Sequence, residues 1–333
     1  MLKTLPDGGV FYFRAGPGIR IFGGMDLKSE LYKAPLFENL ALLARQVVEG
    51  YISGIHKSPF HGYSAEFAEH KIYNTGESTK HIDWKLYAKT DKLYTKRFEE
   101  ETNLRCHLIL DNSASMYYPA QAKLDLEHLH KMGFAVLAAA ALMELLKKQR
   151  DAVGMSIFSE TYQYYVPEKG SERHFQMLLG ALSEVAREQP GTRKTELHTY
   201  LHLIAEKLRR RSLVVLFSDM FQDRVADERV FEALRHLKYN KHEVILFHLT
   251  DRATELEFDF ENSPKRFWDV ESGQHVDLYP DTIKASYRQA LDAYLTSLKL
   301  VCGRYGIKYV GVDIADPFAR VLNAFMVERQ RIA

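Results

Sequence analysis

The 333-residue sequence has little cysteine, only Cys106 and Cys302. One lies in an apolar strand-like run and the other in a helical segment. They read as buried free thiols in a reducing cytoplasm, not as the disulfide framework of a small secreted domain. Net charge is almost absent, at +1. No global field therefore points to nucleic acid or to an anionic membrane. Long apolar runs are missing as well. The most apolar helical stretch, residues 134–146, falls short of the roughly 20 residues a bilayer span needs and reads as a buried core helix. The start of the chain is broken by Pro6, Gly8, Gly9, Gly16 and Gly18, so no signal peptide is expected. There is no Gly-x-x-x-x-Gly-Lys-Ser/Thr loop, so the chain itself is not expected to hydrolyse ATP. His-Glu-x-x-His is absent too. His198 and His202 are spaced i, i+4 but have no evident third ligand, and read as a surface or core pair.

With 46% hydrophobic and 27% charged residues, the composition is that of a globular protein, and the length suggests about two domains. We place the boundary after residue 103. Residues 1–103 form an N-terminal α+β module, with short strand signals at residues 10–13 and 19–22 and a helical period over residues 38–52 that Gly54 closes. Residues 55–103 are dense in His, Lys, Tyr and acids. They read either as a solvated surface of ion pairs or as a docking surface, with strand alternation at 93–98. Lys96-Arg97 between Tyr94 and Phe98 offers a possible stacking site for single-stranded nucleic acid, but three glutamates follow and argue against it.

From residue 104 to 333 the pattern alternates strand and helix. Strands are expected at 105–110, 152–158, 162–166, 213–217, 243–249 and 307–312. Helices are expected at 124–148, 173–185, 197–210, 227–238, 279–305 and 317–331. Residues 251–279 are irregular, with strand-like fragments at 256–260 and 267–270. The fold class is α/β, a doubly wound and mostly parallel sheet of six strands. In such sheets ligands sit beyond the carboxyl ends of the strands, where strand order reverses.

Two strands end in acid. Leu108-Ile109-Leu110 runs into Asp111-Asn112-Ser113-Ala114-Ser115, and Asp219 follows the strand that ends near Ser218. Asp-x-Ser-x-Ser supplies three hard oxygen donors within one turn, chemistry that suits Mg²⁺. If the two strands are neighbours, Asp111 and Asp219 approach and repel, which favours a bound divalent cation. A further donor can come from Thr195, at a helix start after Gly191, although a plain N-cap is the alternative role and Thr192 is a rival. Each feature alone also reads as a turn or cap.

Together, Asp111, Ser113, Ser115, Thr195 and Asp219 resemble the metal-ion-dependent adhesion site of von Willebrand factor type A domains. That resemblance implies strand order 3-2-1-4-5-6. It also implies that Ser113, Ser115 and Thr195 ligate directly while Asp111 and Asp219 act mainly through ordered waters. Over about residues 50–320 the chain more narrowly resembles the DUF58 family of bacterial proteins, through Lys71-Ile72-Tyr73-Asn74-Thr75-Gly76-Glu77 and Ser78-Thr79-Lys80-His81-Ile82-Asp83-Trp84. The family pattern has arginines at Lys71 and Lys80 and an aspartate at Glu77, so a fork-type ion pair is not expected here.

The resemblance implies a non-enzymatic adaptor. A partner's carboxylate would complete the shell of Mg²⁺ (or Mn²⁺), and the working partner would be a MoxR-type AAA+ ATPase in complex assembly or maturation. The rival reading is a metal-dependent hydrolase of phosphoester or amide bonds on the same site. Against it, no His or Lys lies adjacent in these motifs to act as general base. A third reading is a structural domain with a vestigial site. Cys106 is not expected to be a nucleophile, since it points from a buried strand.

Overall fold

The computed structural model describes residues 11–12, 39–56, 70–72, 84–90, 93–96, 104–120, 126, 128–158, 162–187, 197–220, 226–239, 241–269 and 275–332. Two compact units emerge, Ile52–Asn103 and the combination of Met1–Tyr51 with Leu104–Ala333. In chain order the first elements are β1 (Phe11–Tyr12), α1 (Leu40–His56), β2 (His70–Ile72), α2 (Trp84–Thr90) and β3 (Tyr94–Lys96). In the smaller unit β2 and β3 pair antiparallel. Most of the Lys71–Trp84 pattern, residues 73–83, lies outside the described residues, as does the strand signal at 19–22. α1 does not stop at Gly54 but runs to His56. A glycine weakens a helix by roughly 1 kcal/mol and does not by itself end it.

The larger unit is built on β4 (Arg105–Asp111), α3 (Lys131–Lys148), β5 (Ala152–Phe158), β6 (Tyr162–Lys169), α4 (Glu172–Arg187) and α5 (Leu197–Lys207). It continues through β7 (Leu213–Ser218), α6 (Ala226–Tyr239), β8 (Glu243–Thr250), β9 (Lys265–Asp269), β10 (His275–Leu278), α7 (Pro280–Tyr305), β11 (Lys308–Asp313) and α8 (Ala319–Ile332). Six strands form one sheet in the order β11-β8-β7-β4-β5-β6. Counted along the chain among these six, that is 3-2-1-4-5-6, parallel except for β6, which pairs antiparallel with β5. The expected fold class and strand order are both observed.

The residues explain the layering. Cys106 to Asp111 and all of Leu213–Ser218 are buried, as expected of central strands covered on both faces. One face presents Ile109, Val214, Leu216, Val244 and Leu246 to Leu201, Ile204, Ala233, Leu237 and Leu298 of α5, α6 and α7. α3 is buried almost around its whole circumference, with α4 and α8 against it. Phe134 stacks on Phe318 at 4.6 Å between ring centres.

Two expectations are corrected here. The helix expected from residue 124 begins at Lys131, because His130 caps it: its Nδ1 accepts the Gly133 N–H at 2.8 Å. The strand fragment expected at 256–260 is preceded by one wide helical turn, Arg252–Leu256, and residues 258–260 are not strand. The turn forms because the Glu255 carboxylate accepts its own upstream Asp251 N–H at 2.7 Å. Beyond it, β1, β9 and β10 make a small antiparallel sheet, and Phe258, Phe260 and Phe267 pack with Tyr118.

Candidate functional site

Register brings the acidic strand ends together. Leu110 pairs with Phe217 and Ser218 pairs with His248, so the loops after β4 and β7 leave the sheet side by side at its carboxyl edge. This is the point where strand order reverses, since β5 lies on one side of β4 and β7 on the other. After β4 the chain turns through Asn112 and Ser113 into a single 3-10 turn, Ala114–Tyr117. Tyr117 holds that turn from below by donating its hydroxyl to Asn112 Oδ1 at 2.7 Å.

Asp111 is 2% exposed. Its Oδ1 accepts the Ser113 N–H at 3.0 Å and its Oδ2 accepts the Ser218 hydroxyl at 2.7 Å. The Ser113 and Ser115 hydroxyls lie 2.8 Å apart in one hydrogen bond. Burial, followed by the charge of Asp219, raises the Asp111 pKa to about 7, against the pull of its hydrogen bonds. Both donors to Asp111 are neutral. A buried carboxylate solvated only by neutral groups and facing a second carboxylate is a place where a hard cation lowers the energy.

Four of the five candidate ligands, Asp111, Ser113, Ser115 and Asp219, therefore meet at one edge. Thr195 and its rival Thr192 lie outside the described residues, and α5 begins two positions after Thr195, at Leu197. Among the described residues no group of three or more His, Cys, Asp and Glu is placed to hold a metal. The donors here are instead two carboxylates and two hydroxyls, an oxygen set that suits Mg²⁺ or Mn²⁺ and not a soft thiolate or imidazole metal.

Asp219 carries more partners than its place in the sequence suggests. Its Oδ2 lies 2.7 Å from Lys131 Nζ, and the same ammonium lies 2.7 Å from Glu255 Oε1. Burial opposes the Lys131 charge, but Asp219 and Glu255 outweigh it and raise its pKa. Glu255 is lifted to about 7 by burial despite Lys131. The Asp219 carbonyl accepts from His248 Nε2 at 2.8 Å, which leaves Nδ1 to accept the Tyr309 hydroxyl at 2.8 Å. Burial holds His248 down to about 4, so the neutral ring fits both roles. After Asp219, Met220 takes a left-handed φ of 53° and donates its N–H to Ser218 Oγ at 2.9 Å. Lys131, Glu255, Ser218 and His248 were not legible as site residues. Lys131 and Glu255 sit 88 and 36 positions from Asp219 in sequence, and no local pattern marks either.

Elsewhere, Ser156 Oγ, His107 Nε2, His107 Nδ1 and Glu168 Oε1 form a chain of two 2.7 Å contacts, the connectivity of a nucleophile, base and orienting acid. Ser156 and His107 are both 0% exposed, so no substrate reaches the hydroxyl and the chain serves to hold β4, β5 and β6 together. The His198 and His202 pair gains a neighbour from α6, with His202 and His236 Nδ1 atoms 2.9 Å apart.

Residues 69–297 match the sequence family described as "protein of unknown function DUF58". The chain belongs to the DUF58 family. Uncharacterized proteins of Mycobacterium bovis and Mycobacterium tuberculosis are 24% identical to it over 186 residues, a match spanning 56% of this chain and 56% of each relative's own length. Among solved structures, a conserved hypothetical protein BatB from Bacteroides thetaiotaomicron covers 69% of this chain and 100% of its own at 14% identity and a TM-score of 0.42. An aerotolerance-related membrane protein from Bacteroides fragilis covers 68% and 99% at 15% identity and 0.41. The VWA domain of SpRpn10 covers 66% and 94% at 8% identity and 0.35. All three scores lie below 0.5, so the fold of this DUF58 chain stands on its own strand order. Among the described residues no helix is long and apolar enough to cross a membrane.

Proposed function

We propose that this DUF58 chain is a metal-dependent protein-interaction adaptor, not an enzyme. Asp111, Ser113, Ser115, Thr195 and Asp219 would hold Mg²⁺, or Mn²⁺ in its place. The bound ion would supply one open coordination position for a carboxylate oxygen of a partner. The observation that carries this reading is the state of Asp111: a buried carboxylate with neutral donors only, opposed by Asp219 at the switch point of the sheet. The chain's own residues orient the site. Ser218 and the Ser113 N–H fix the two oxygens of Asp111, and Ser113 and Ser115 set their hydroxyls side by side.

Family resemblance supports a MoxR-type AAA+ ATPase as the working partner, with the adaptor acting in assembly or maturation of other complexes in the cytoplasm. The rival hydrolase would activate water on the same ion, and the Ser156–His107–Glu168 chain does not serve it, because Ser156 and His107 are sealed inside the sheet. The test is capture of partners from native lysate in Mg²⁺ or EDTA, with wild type beside Asp111→Ala and folding of both checked by circular dichroism. We expect an ATPase retained only by wild type in Mg²⁺. Retention that ignores both EDTA and the substitution would end the metal-bridge mechanism.

A further inference from the structure

We propose that Lys131 is a resident cation of this site, which shares Asp219 with the divalent ion and so sets how tightly that ion is held. The proposal rests on the metal reading above and goes beyond it, because it assigns a counter-ion and a tuning device to residues outside the ligand set.

The placement of Lys131 needs a cause. Its side chain is 0% exposed, and it is the first residue of α3. Burial and the positive end of the helix both disfavour an ammonium there. What offsets them is a pair of carboxylates, Asp219 on the β7 loop and Glu255 on the wide turn, each 2.7 Å from Nζ. A buried ion group adds little stability compared with well-packed apolar side chains, so stability alone does not explain a lysine here. Charge balance does. The carboxyl groups of Asp111, Asp219 and Glu255 gather around the Lys131 ammonium, and a divalent ion on the Asp111 side offsets carboxylate charge that the ammonium does not reach. Without the ion, the ammonium keeps Asp219 solvated.

Glu255 is the fixed post in this arrangement. Its Oε2 accepts the Asp251 N–H at 2.7 Å and its carbonyl accepts the Tyr287 hydroxyl at 2.8 Å. The neighbouring Thr254 donates to Asp251 Oδ2 at 2.7 Å and receives the Tyr118 hydroxyl at 2.6 Å. Tyr118 closes the same loop that begins at Asp111, so the loop bearing Ser113 and Ser115 and the turn bearing Glu255 are tied together. Glu255 therefore draws Lys131 partly away from Asp219. Removing its charge shifts the ammonium toward Asp219, whereas removing the ammonium releases Asp219 toward the metal.

The experiment is titration of the full chain with MgCl₂ by calorimetry and with MnCl₂ by electron paramagnetic resonance. Wild type, Glu255→Gln and the double variant Lys131→Met/Glu255→Gln are compared. The double variant neutralises Glu255 together with the ammonium, so that Asp219 is the one partner of Lys131 left charged; near-UV circular dichroism with and without the ion checks the fold. We expect the double variant to bind either ion at least tenfold more tightly than wild type, and Glu255→Gln to bind at least tenfold more weakly. Equal affinity in all three proteins overturns the role of Lys131 and leaves the metal site standing. Absence of binding in all three, at millimolar metal, overturns the metal reading and this inference with it.

Discussion

Asp111 and Lys131 are ionisable side chains of opposite sign, buried within one loop system, and each is stable only through what faces it. Asp111 faces neutral donors and another carboxylate. Replacing it by Asn keeps an acceptor for the Ser113 N–H or the Ser218 hydroxyl and removes the repulsion with Asp219. We expect Asp111→Asn to raise Tm in EDTA at pH 8 by about 2–4 °C, from a gain of roughly 1 kcal/mol, and to abolish any rise of Tm on adding Mg²⁺. Differential scanning calorimetry in the two buffers reads both, and a lowered Tm in EDTA would contradict the electrostatic account of Asp111. His130 shows a different residue-scale effect. As a neutral cap it accepts the Gly133 N–H, and burial holds its pKa down to about 4. The unfolded chain takes up the proton near pH 6.5, whereas the folded one resists it until about pH 4. Stability from this group is therefore complete above about pH 6.5 and falls as pH drops toward 4, by about 2 kcal/mol at pH 5. His130→Asn keeps a capping oxygen without a proton to gain. Urea unfolding at pH 7.5 and pH 5 should show a smaller loss for the variant than for wild type.

At the scale of elements, strands and helices with a clear period were legible, and those placed by charge were not. β5 matches its expected span because it is short, mostly apolar and flanked in sequence by polar residues, Asp151 before it and Ser159-Glu160 after it. The start of α3 was missed by seven positions, since residues 124–130 carry apolar side chains at helical spacing and nothing in the periodicity marks His130 as the cap. The wide turn at Arg252–Leu256 was missed because Glu255, whose carboxylate caps it through the Asp251 N–H, is itself held by Lys131 across 124 positions. The candidate site divides in the same way. The Asp-x-Ser-x-Ser loop and Asp219 were visible because acid at the end of an apolar strand breaks a pattern, whereas Lys131 reads in sequence as an ordinary solvated helix lysine. A tight spot between strands also escaped notice. A Cβ on Gly154 would lie 2.7 Å from His107 Nδ1, 2.8 Å from Val166 O and 2.9 Å from Glu168 N. Two of these are backbone atoms of β6, so the edge strand must shift to admit even a methyl group. We expect Gly154→Ala to cost about 1–3 kcal/mol in urea unfolding and to loosen the His107–Glu168 contact, which shows in the tautomer and shifts of the His107 ring by NMR. An unchanged unfolding midpoint would mean that β6 is slack there.

For the whole molecule the ligand loops, the Lys131–Glu255 pair and the small sheet beyond β8 converge on one edge. A partner whose carboxylate completes the metal shell must then be linked to the metal thermodynamically. If Mg²⁺ raises the affinity of this chain for its partner by some factor, the partner raises the affinity for Mg²⁺ by the same factor, because both paths lead to one ternary complex. Coupling between sites is typically about 1–3 kcal/mol, or roughly 5–150-fold, and a directly shared bond belongs at the upper end. The captured partner, once identified, allows the cycle to be closed by calorimetry: partner binding in EDTA and in saturating Mg²⁺, then Mg²⁺ binding with and without partner. We expect the two factors to agree and to exceed tenfold in wild type. Both should collapse to near one when the partner's acidic residue is replaced by its amide, with its affinity in EDTA unchanged. A partner that binds tightly but leaves the Mg²⁺ affinity untouched would sit on another surface, and the metal would then serve the fold of the loops and not the contact.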